Sequence, residues 1–541
     1  MRFSLARLRE LTARAGPRLA WLASGWRREF LLGALVLALL SYTWMFGRVT
    51  VPNERSRVYL TVAIVDHGSL SIDEPVRRFG AINDWARCDG RYYTDKAPGS
   101  SFLGVVPYAA VRVFTKAQDW SIERLVNVMR TWVMLPIGLL GFFLLRRLLR
   151  RCGRPEPTVD IASLGWVLGT AAFHYSTAFY GHQIVGVALV GALGLVLDAE
   201  REEARRRWLP MLGAGLLAGV AGLTEYQAVI PCGMLALYVV AGPLRRRPGP
   251  LAAFVAGALP GAAALLVYNT LAFGGPFDLS YHYLVAADLR AIHGMGIGGV
   301  TSPAWDCMVG GLFSLHRGLF TTSPVFLLVF PGLFLLWRAK ERRQAILLGV
   351  ALLYFLLFIS STKIWFAGWS FGPRLLIPVM GWAMIPVAYA IDAMRTSVAG
   401  DGAARGLVLA GILYHQVVHA VFPELPEGAT NPMLDAVLPA LRLGVVSPNL
   451  GMQWLGLHGL WSLLPLALLV LAAIVVLLFI DRRRWPTRAE RWSLFLAAFA
   501  LVLPLALYCL LRKQGWGPDD IRWFTRDFML QELSRAEFPH P

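Results

Sequence analysis

The sequence is short of charge. Only 16% of its 541 residues are Asp, Glu, Lys or Arg, against roughly a quarter in a soluble domain. Acidic residues are the scarcer sign, 34 against 52 basic, which leaves a formal net charge of +18. That surplus does not form one stripe. It sits in short clusters between apolar runs, which excludes a nucleic-acid partner and matches the positive-inside pattern of membrane proteins. Cysteine is sparse: Cys88, Cys152, Cys232, Cys307 and Cys509 show no CxxC spacing, so no metal or redox motif is read from them. Lysine is sparse too, which singles out Lys96 and Lys363 among the arginines. No Walker A motif is present, which argues against an ATP-driven pump.

What is abundant is apolar: 56% of the chain is hydrophobic, so it reads as an integral membrane protein. Runs near the roughly 20 residues needed to span fall at 30–47, 126–146, 159–178, 184–199, 207–223, 226–243, 250–273, 319–338, 344–361, 374–393, 405–422, 457–480 and 492–511. The run 101–115 is shorter and is interrupted by Arg112 and Lys116. Leaving it out of the bilayer puts the clusters RRLLRRCGR, REEARRR, LRRR, RAKERR and DRRR on one side, the cytoplasm; counting it as a span flips all five. The expected fold is therefore an all-α polytopic membrane protein of about 13 helices. Residues 1–29 form a cytoplasmic amphipathic segment rather than a cleaved signal. Residues 30–393 form a catalytic module, 394–511 carry the C-terminal spans, and 512–541 form an outer tail.

That topology makes residues 48–124 one long outer loop with juxtamembrane helices. It opens on Glu54 and Arg57 and continues through Asp84 to GRYYTDKAPGSS, with Tyr93, Asp95 and Lys96 ahead of Pro98-Gly99. Charges such as Asp66, Asp73, Glu74 and Asp89 read as solvated. Glu54, at a span end, and Lys96, before a helix-starting Pro-Gly, call for another reason. A carboxylate fixed at a membrane surface can take a proton from a hydroxyl or hold a metal. Lys and Arg at that depth suit a phosphate head whose tail stays in lipid. Further candidates are His182 and Gln183 in a short outer turn and Glu225-Tyr226 at an outer span end. In TKIWFAGWSFGPR, aromatics such as Trp369 would stack on a sugar and Arg374 would bind phosphate. Cys88 and Cys307 are the outer cysteines and so are available to pair. His282, His293 and His316 fit no metal-ligand spacing.

The order acid, three-residue step to Arg, Gly68, then Gly-x-Tyr-Tyr-x-x-Lys-x-Pro resembles the first outer loop of the membrane-embedded C-type (GT-C) glycosyltransferases. It is most similar to the lipid A aminoarabinose transferases and the bacterial protein O-mannosyltransferases. The resemblance implies that Glu54 is the catalytic base and that Tyr93 and Lys96, with Arg57 and Arg374, hold the carrier phosphate. Asp84, His182, Gln183, Glu225, Tyr226 and Trp369 would contact sugar or acceptor. The implied partners are a polyprenyl-phosphate-linked sugar donor, membrane lipid, and a glycan, lipid or protein acceptor at the outer face of the plasma (inner) membrane. Three positions depart from the family pattern. The base is Glu rather than Asp, Ala97 separates Lys96 from Pro98, and His182 and Gln183 stand where a second Asp is usual. The resemblance implies no specific cofactor, and a divalent metal stays open. A flippase or transporter of a lipid-linked substrate, or a non-catalytic envelope scaffold, is the alternative; charges gathered in outer loops rather than at the midplane weigh against transport.

Overall fold

The computed structural model describes residues 25–43, 51–201, 206–296, 298–426, 428–481, 484–513 and 515–529. Most of the segment 1–29 and the end of the tail therefore lie outside the described residues. Helices of seven or more residues are numbered here in chain order. They begin with α1 (Gly25–Tyr42), α2 (Pro52–His67) and α3 (Asp73–Phe79). A hairpin of β1 (Trp85–Cys88) and β2 (Arg91–Thr94) follows, then α4 (Gly99–Phe114). Next come α5 (Ile122–Arg151), α6 (Glu156–Gly169), α7 (Gly181–Arg201), α8 (Trp208–Thr224), α9 (Val229–Val240) and α10 (Pro248–Phe273). The chain continues with α11 (Ala287–His293), α12 (Trp305–Phe313), α13 (Val329–Arg338), α14 (Arg342–Ser361), α15 (Ile377–Met394) and α16 (Val398–His419), and ends with α17 (Leu464–Phe479) and α18 (Arg488–Leu511).

Each of the thirteen apolar runs carries a helix: α1, α5 to α10 and α13 to α18. Among the described residues, seven helices are long and apolar enough to cross a bilayer on their own. Others are shorter or carry charge, as α16 does with Asp401 and Arg405. The protein is a multi-pass membrane protein. The run after Pro98 behaves differently. The difference is not length, since α4 at 16 residues matches α17 and exceeds α6, α9 and α13, but a divided surface. It buries Ser100, Ser101, Gly104 and Tyr108 against the protein and exposes Val106, Val113 and Phe114. Its first residue must be glycine, because a methyl there would collide with the backbone of Leu223 and Thr224.

Packing is closest where side chains are smallest. Gly215 and Gly219 of α8 face Gly257 and Gly261 of α10, and a Cβ at any of the four would strike backbone of the other helix. This small-xxx-small seam lets two membrane helices touch main chain to main chain. The central helices α6, α7 and α15 are buried all round; Trp382 closes the seam between two of them by donating to the Leu189 carbonyl at 2.8 Å.

The arginine clusters collect at one end of the bundle. Arg146 binds Glu29 at 2.6 Å and Asp160 at 2.7 Å, Arg154 binds Asp392 at 2.8 Å, Arg343 binds Glu200 at 3.0 Å and Arg395 binds Asp481 at 2.7 Å. The opposite end carries α2 to α4, the hairpin and the loops after α10, α14 and α16. These loops are stitched together by bridges pairing Ala86 with Leu284 and Val300 with Thr362. The hairpin turn places Asp89 at φ 47° and Gly90 at φ 82°, the two positive values that a tight two-residue hairpin needs and that Asp-Gly supplies. Cys88 and Cys307 are both free thiols, so no disulfide clamps the first loop to the long one.

Candidate functional site

The hairpin and α2 set the first half of the site. Thr94, at the end of β2, hydrogen-bonds Ser56 of α2 at 2.7 Å, and this fixes the following Asp95-Lys96 step. The Lys96 ammonium lies 2.6 Å from Asp95 and 3.0 Å from Asp84. Burial works against its charge, but these two carboxylates hold it above the ordinary lysine range. Burial also pushes the Asp95 carboxyl up to about 6, with Lys96 pulling the other way.

Next to Ser56 on α2, Arg57 is fully buried and donates to Glu225 at 2.6 Å. Glu225 ends α8 in an extended conformation and lies 3.4 Å from His182 at the start of α7. Gly181 admits that carboxylate, since any side chain there would collide with it. Arg374, just ahead of α15, lies over the Tyr180 ring at 5.4 Å. His182 is near enough to Arg374, Arg57 and Lys96 to feel the charge of each. Three cations from three distant segments thus converge with Glu225, Asp84 and Asp95.

Several buried polar atoms there have no hydrogen-bond partner among the described residues: Nε and Nη1 of Arg57, Nε of Arg374, Nδ1 of His182 and both amide atoms of Gln183. Buried polar groups are rarely left so. The three arginine nitrogens and the Gln183 amide nitrogen are donors and suit an anionic, oxygen-rich ligand.

Glu54 belongs to a neighbouring cluster. It is fully buried, and its Oε1 accepts from Arg130 Nε at 2.8 Å and from the Phe179 backbone N–H at 2.7 Å; its Oε2 accepts a second Arg130 nitrogen. Beside this pair, Tyr180 donates to Glu424 at 3.0 Å. His174 lies 3.3 Å from Glu424 and 3.1 Å from His419. Burial raises the Glu424 carboxyl to about 7. The sequence reading had no signal for Arg130, which lies inside an apolar run, or for Glu424, in a proline-rich loop.

Two expected contacts lie elsewhere. Tyr93 alternates with Thr94 along β2 and so faces the core, where it packs edge-on to Phe273 at 5.5 Å. Trp369 sits edge-on to Phe528 at 6.2 Å, apart from the cations. Among the described residues no three His, Cys, Asp or Glu side chains converge as a metal requires. His316 is instead bonded to the Ala429 carbonyl at 2.8 Å, and His293 is stacked on Tyr281. The donor set does not fit a divalent cation, and no step is routed through one.

No protein-family model matches this sequence, and no curated protein matches it. Solved structures do. ArnT from Cupriavidus metallidurans bound to undecaprenyl phosphate superimposes with a TM-score of 0.53 at 17% identity, over 89% of this chain and 76% of that one. The apo state of the same protein gives 0.51 at 16% identity, over 92% and 77%. This chain therefore has the fold of the membrane-embedded C-type glycosyltransferases.

Proposed function

We propose that this protein is a glycosyltransferase that moves a sugar from a polyprenyl-phosphate carrier to a hydroxyl of a glycan, lipid or protein acceptor. The site would face the outer side of the plasma membrane, with the paired arginine clusters inside. The observation that carries the reading is the convergence of Arg57, Lys96 and Arg374, with unpartnered guanidinium nitrogens on two of them. The similar ArnT structure was solved with undecaprenyl phosphate bound, which supports a lipid phosphate as the anion.

A small, partly open apolar groove lies beside the start of α15, lined by Leu376 just ahead of that helix, by Val379, Met380 and Ala383 on it, and by Phe326, Val329 and Leu356 opposite.

The chemistry follows from the charges. The acceptor hydroxyl gives its proton to a carboxylate as its oxygen attacks the anomeric carbon. The bond from that carbon to the phosphate oxygen breaks, and the electron pair leaves on the phosphate. Arg57, Lys96 and Arg374 stabilise that developing charge, and attack opposite the leaving group inverts the anomeric centre. Glu225 suits the base better than Glu54. Glu54 has both oxygens occupied by Arg130 and a backbone N–H, whereas Glu225 stands among the cations. Arg57 can keep Glu225 on one nitrogen while turning its other two to the phosphate.

The test is mass spectrometry of envelope glycans and lipids with the gene, without it, and with Lys96→Ala. The reading expects one glycan or lipid species to lose a sugar in the last two. Identical profiles in all three would refute it.

A further inference from the structure

The sequence places its sugar platform at Trp369, which packs elsewhere. Other rings stand beside the cations. Tyr226 directly follows Glu225 and meets Tyr281 edge to face, with centroids 5.5 Å apart at 77°. Tyr281 in turn stacks on His293 at 4.5 Å, their planes only 5° apart. Ser280 pins this group to the charged step: its hydroxyl donates to the Asp95 carbonyl at 2.7 Å and lies 3.5 Å from the Tyr226 hydroxyl.

The long loop goes out of its way to bring His293 inward. α11 has no buried residue, yet its last side chain turns onto Tyr281. The chain then doubles back through Gly296, Gly298 and Gly299, at φ 56°, 63° and 91°, to reach the bridge between Val300 and Thr362. Residues with side chains seldom hold such angles. Neither ring takes a hydrogen bond from Arg57, Lys96 or Arg374 among the described residues, although Tyr281 feels the charges of Glu225, Asp95, Arg57 and Arg374 and His293 that of Lys96.

In a sugar phosphate the ring is one oxygen removed from phosphorus, so the sugar lies within reach of rings that stand beside the phosphate site. We propose that Tyr281 and His293, with Tyr226, form the wall against which the donor's sugar ring lies, its C–H face on the aromatic surface. This inference rests on the function proposed above. The electron-rich face of an aromatic ring attracts the polarised C–H hydrogens of a sugar. Burial, with Lys96 adding to it, depresses the proton affinity of His293, so its ring stays neutral and keeps that face.

The experiment compares carriers with and without a sugar. Binding of undecaprenyl phosphate and of undecaprenyl-phospho-glucose, -galactose, -mannose and -xylose is measured on the purified full-length protein and on Tyr281→Leu, His293→Leu and Tyr281→Phe. Wild type should bind at least one loaded carrier more tightly than the bare one. The two Leu variants should lose that gain, on the order of three- to tenfold, while binding bare carrier as before; Tyr281→Phe should keep it. A gain that survives both Leu variants, no gain from any sugar in wild type, or Leu variants that lose the bare carrier as well would each overturn the proposal. Failure of wild type to bind bare undecaprenyl phosphate would instead overturn the function on which it rests.

Discussion

Replacing Glu54 and Glu225 one at a time by Gln separates a structural carboxylate from a reacting one. Glu54 receives three N–H donors, two of them from Arg130, which is only 1% exposed. In Glu54→Gln the amide keeps one oxygen and turns an NH2 towards the guanidinium, so Arg130 is left buried without its countercharge. Breaking such a pair costs about 3–5 kcal/mol, a large part of the roughly 5–15 kcal/mol that holds a typical protein folded. The expected result is a lower melting temperature and yield, with turnover per folded molecule largely kept. In Glu225→Gln the remaining oxygen can still accept from Arg57, so the fold should hold. Loss of a positioned base should lower turnover by about 10²–10⁴-fold, with carrier affinity within a few-fold of wild type. The assays are thermal unfolding in detergent and sugar transfer from a polyprenyl-phospho-sugar, normalised to folded protein. Full stability with no turnover in Glu54→Gln, together with full turnover in Glu225→Gln, would refute this reasoning and return the base to Glu54.

Lys96→Met keeps the length of the stem and removes the ammonium. A hydrogen bond to a charged group contributes about 1.5–3 kcal/mol, so undecaprenyl phosphate should bind on the order of 10- to 150-fold more weakly by titration, and Lys96→Arg should recover part of the loss. Glu424, raised to about 7 by burial, holds its proton in the folded state at pH values where the unfolded chain has released it. Stability should therefore fall as pH rises from about 4.5 to 7, by an amount on the order of 3 kcal/mol, and level off above. Melting curves across that range should show a steeper decline in wild type than in Glu424→Gln, where the contribution of Asp95, raised to about 6, remains. On the α8–α10 seam, Gly219→Leu should force two backbones apart and lower stability by about 1–3 kcal/mol or more, whereas Gly222→Leu, with open space around its Cα, should not.

The spans were legible because hydropathy is local. Each long apolar run formed a helix. Arg57, Lys96, Asp84, His182, Glu225 and Arg374 were legible for a related reason: charge at the rim of an apolar segment is rare enough to notice. Partnership was not. Arg130 lies 76 residues from Glu54 in a run whose apolar neighbours disguised it, and only the folded bundle reveals that it occupies both oxygens. Local aromatic density pointed to Trp369, but density does not say which way a ring faces. The stack of Tyr281 on His293 joins residues whose intervening turns leave no periodic trace.

The cationic cluster also has a consequence for synthesis. Arg57 and Lys96 leave the ribosome early, Glu225 later, and Arg374 later still. Until Glu225 and then Arg374 are inserted, the early residues face water with no pocket to belong to. A nascent chain arrested before Arg374 would hold most of its helices without the completed cationic cluster.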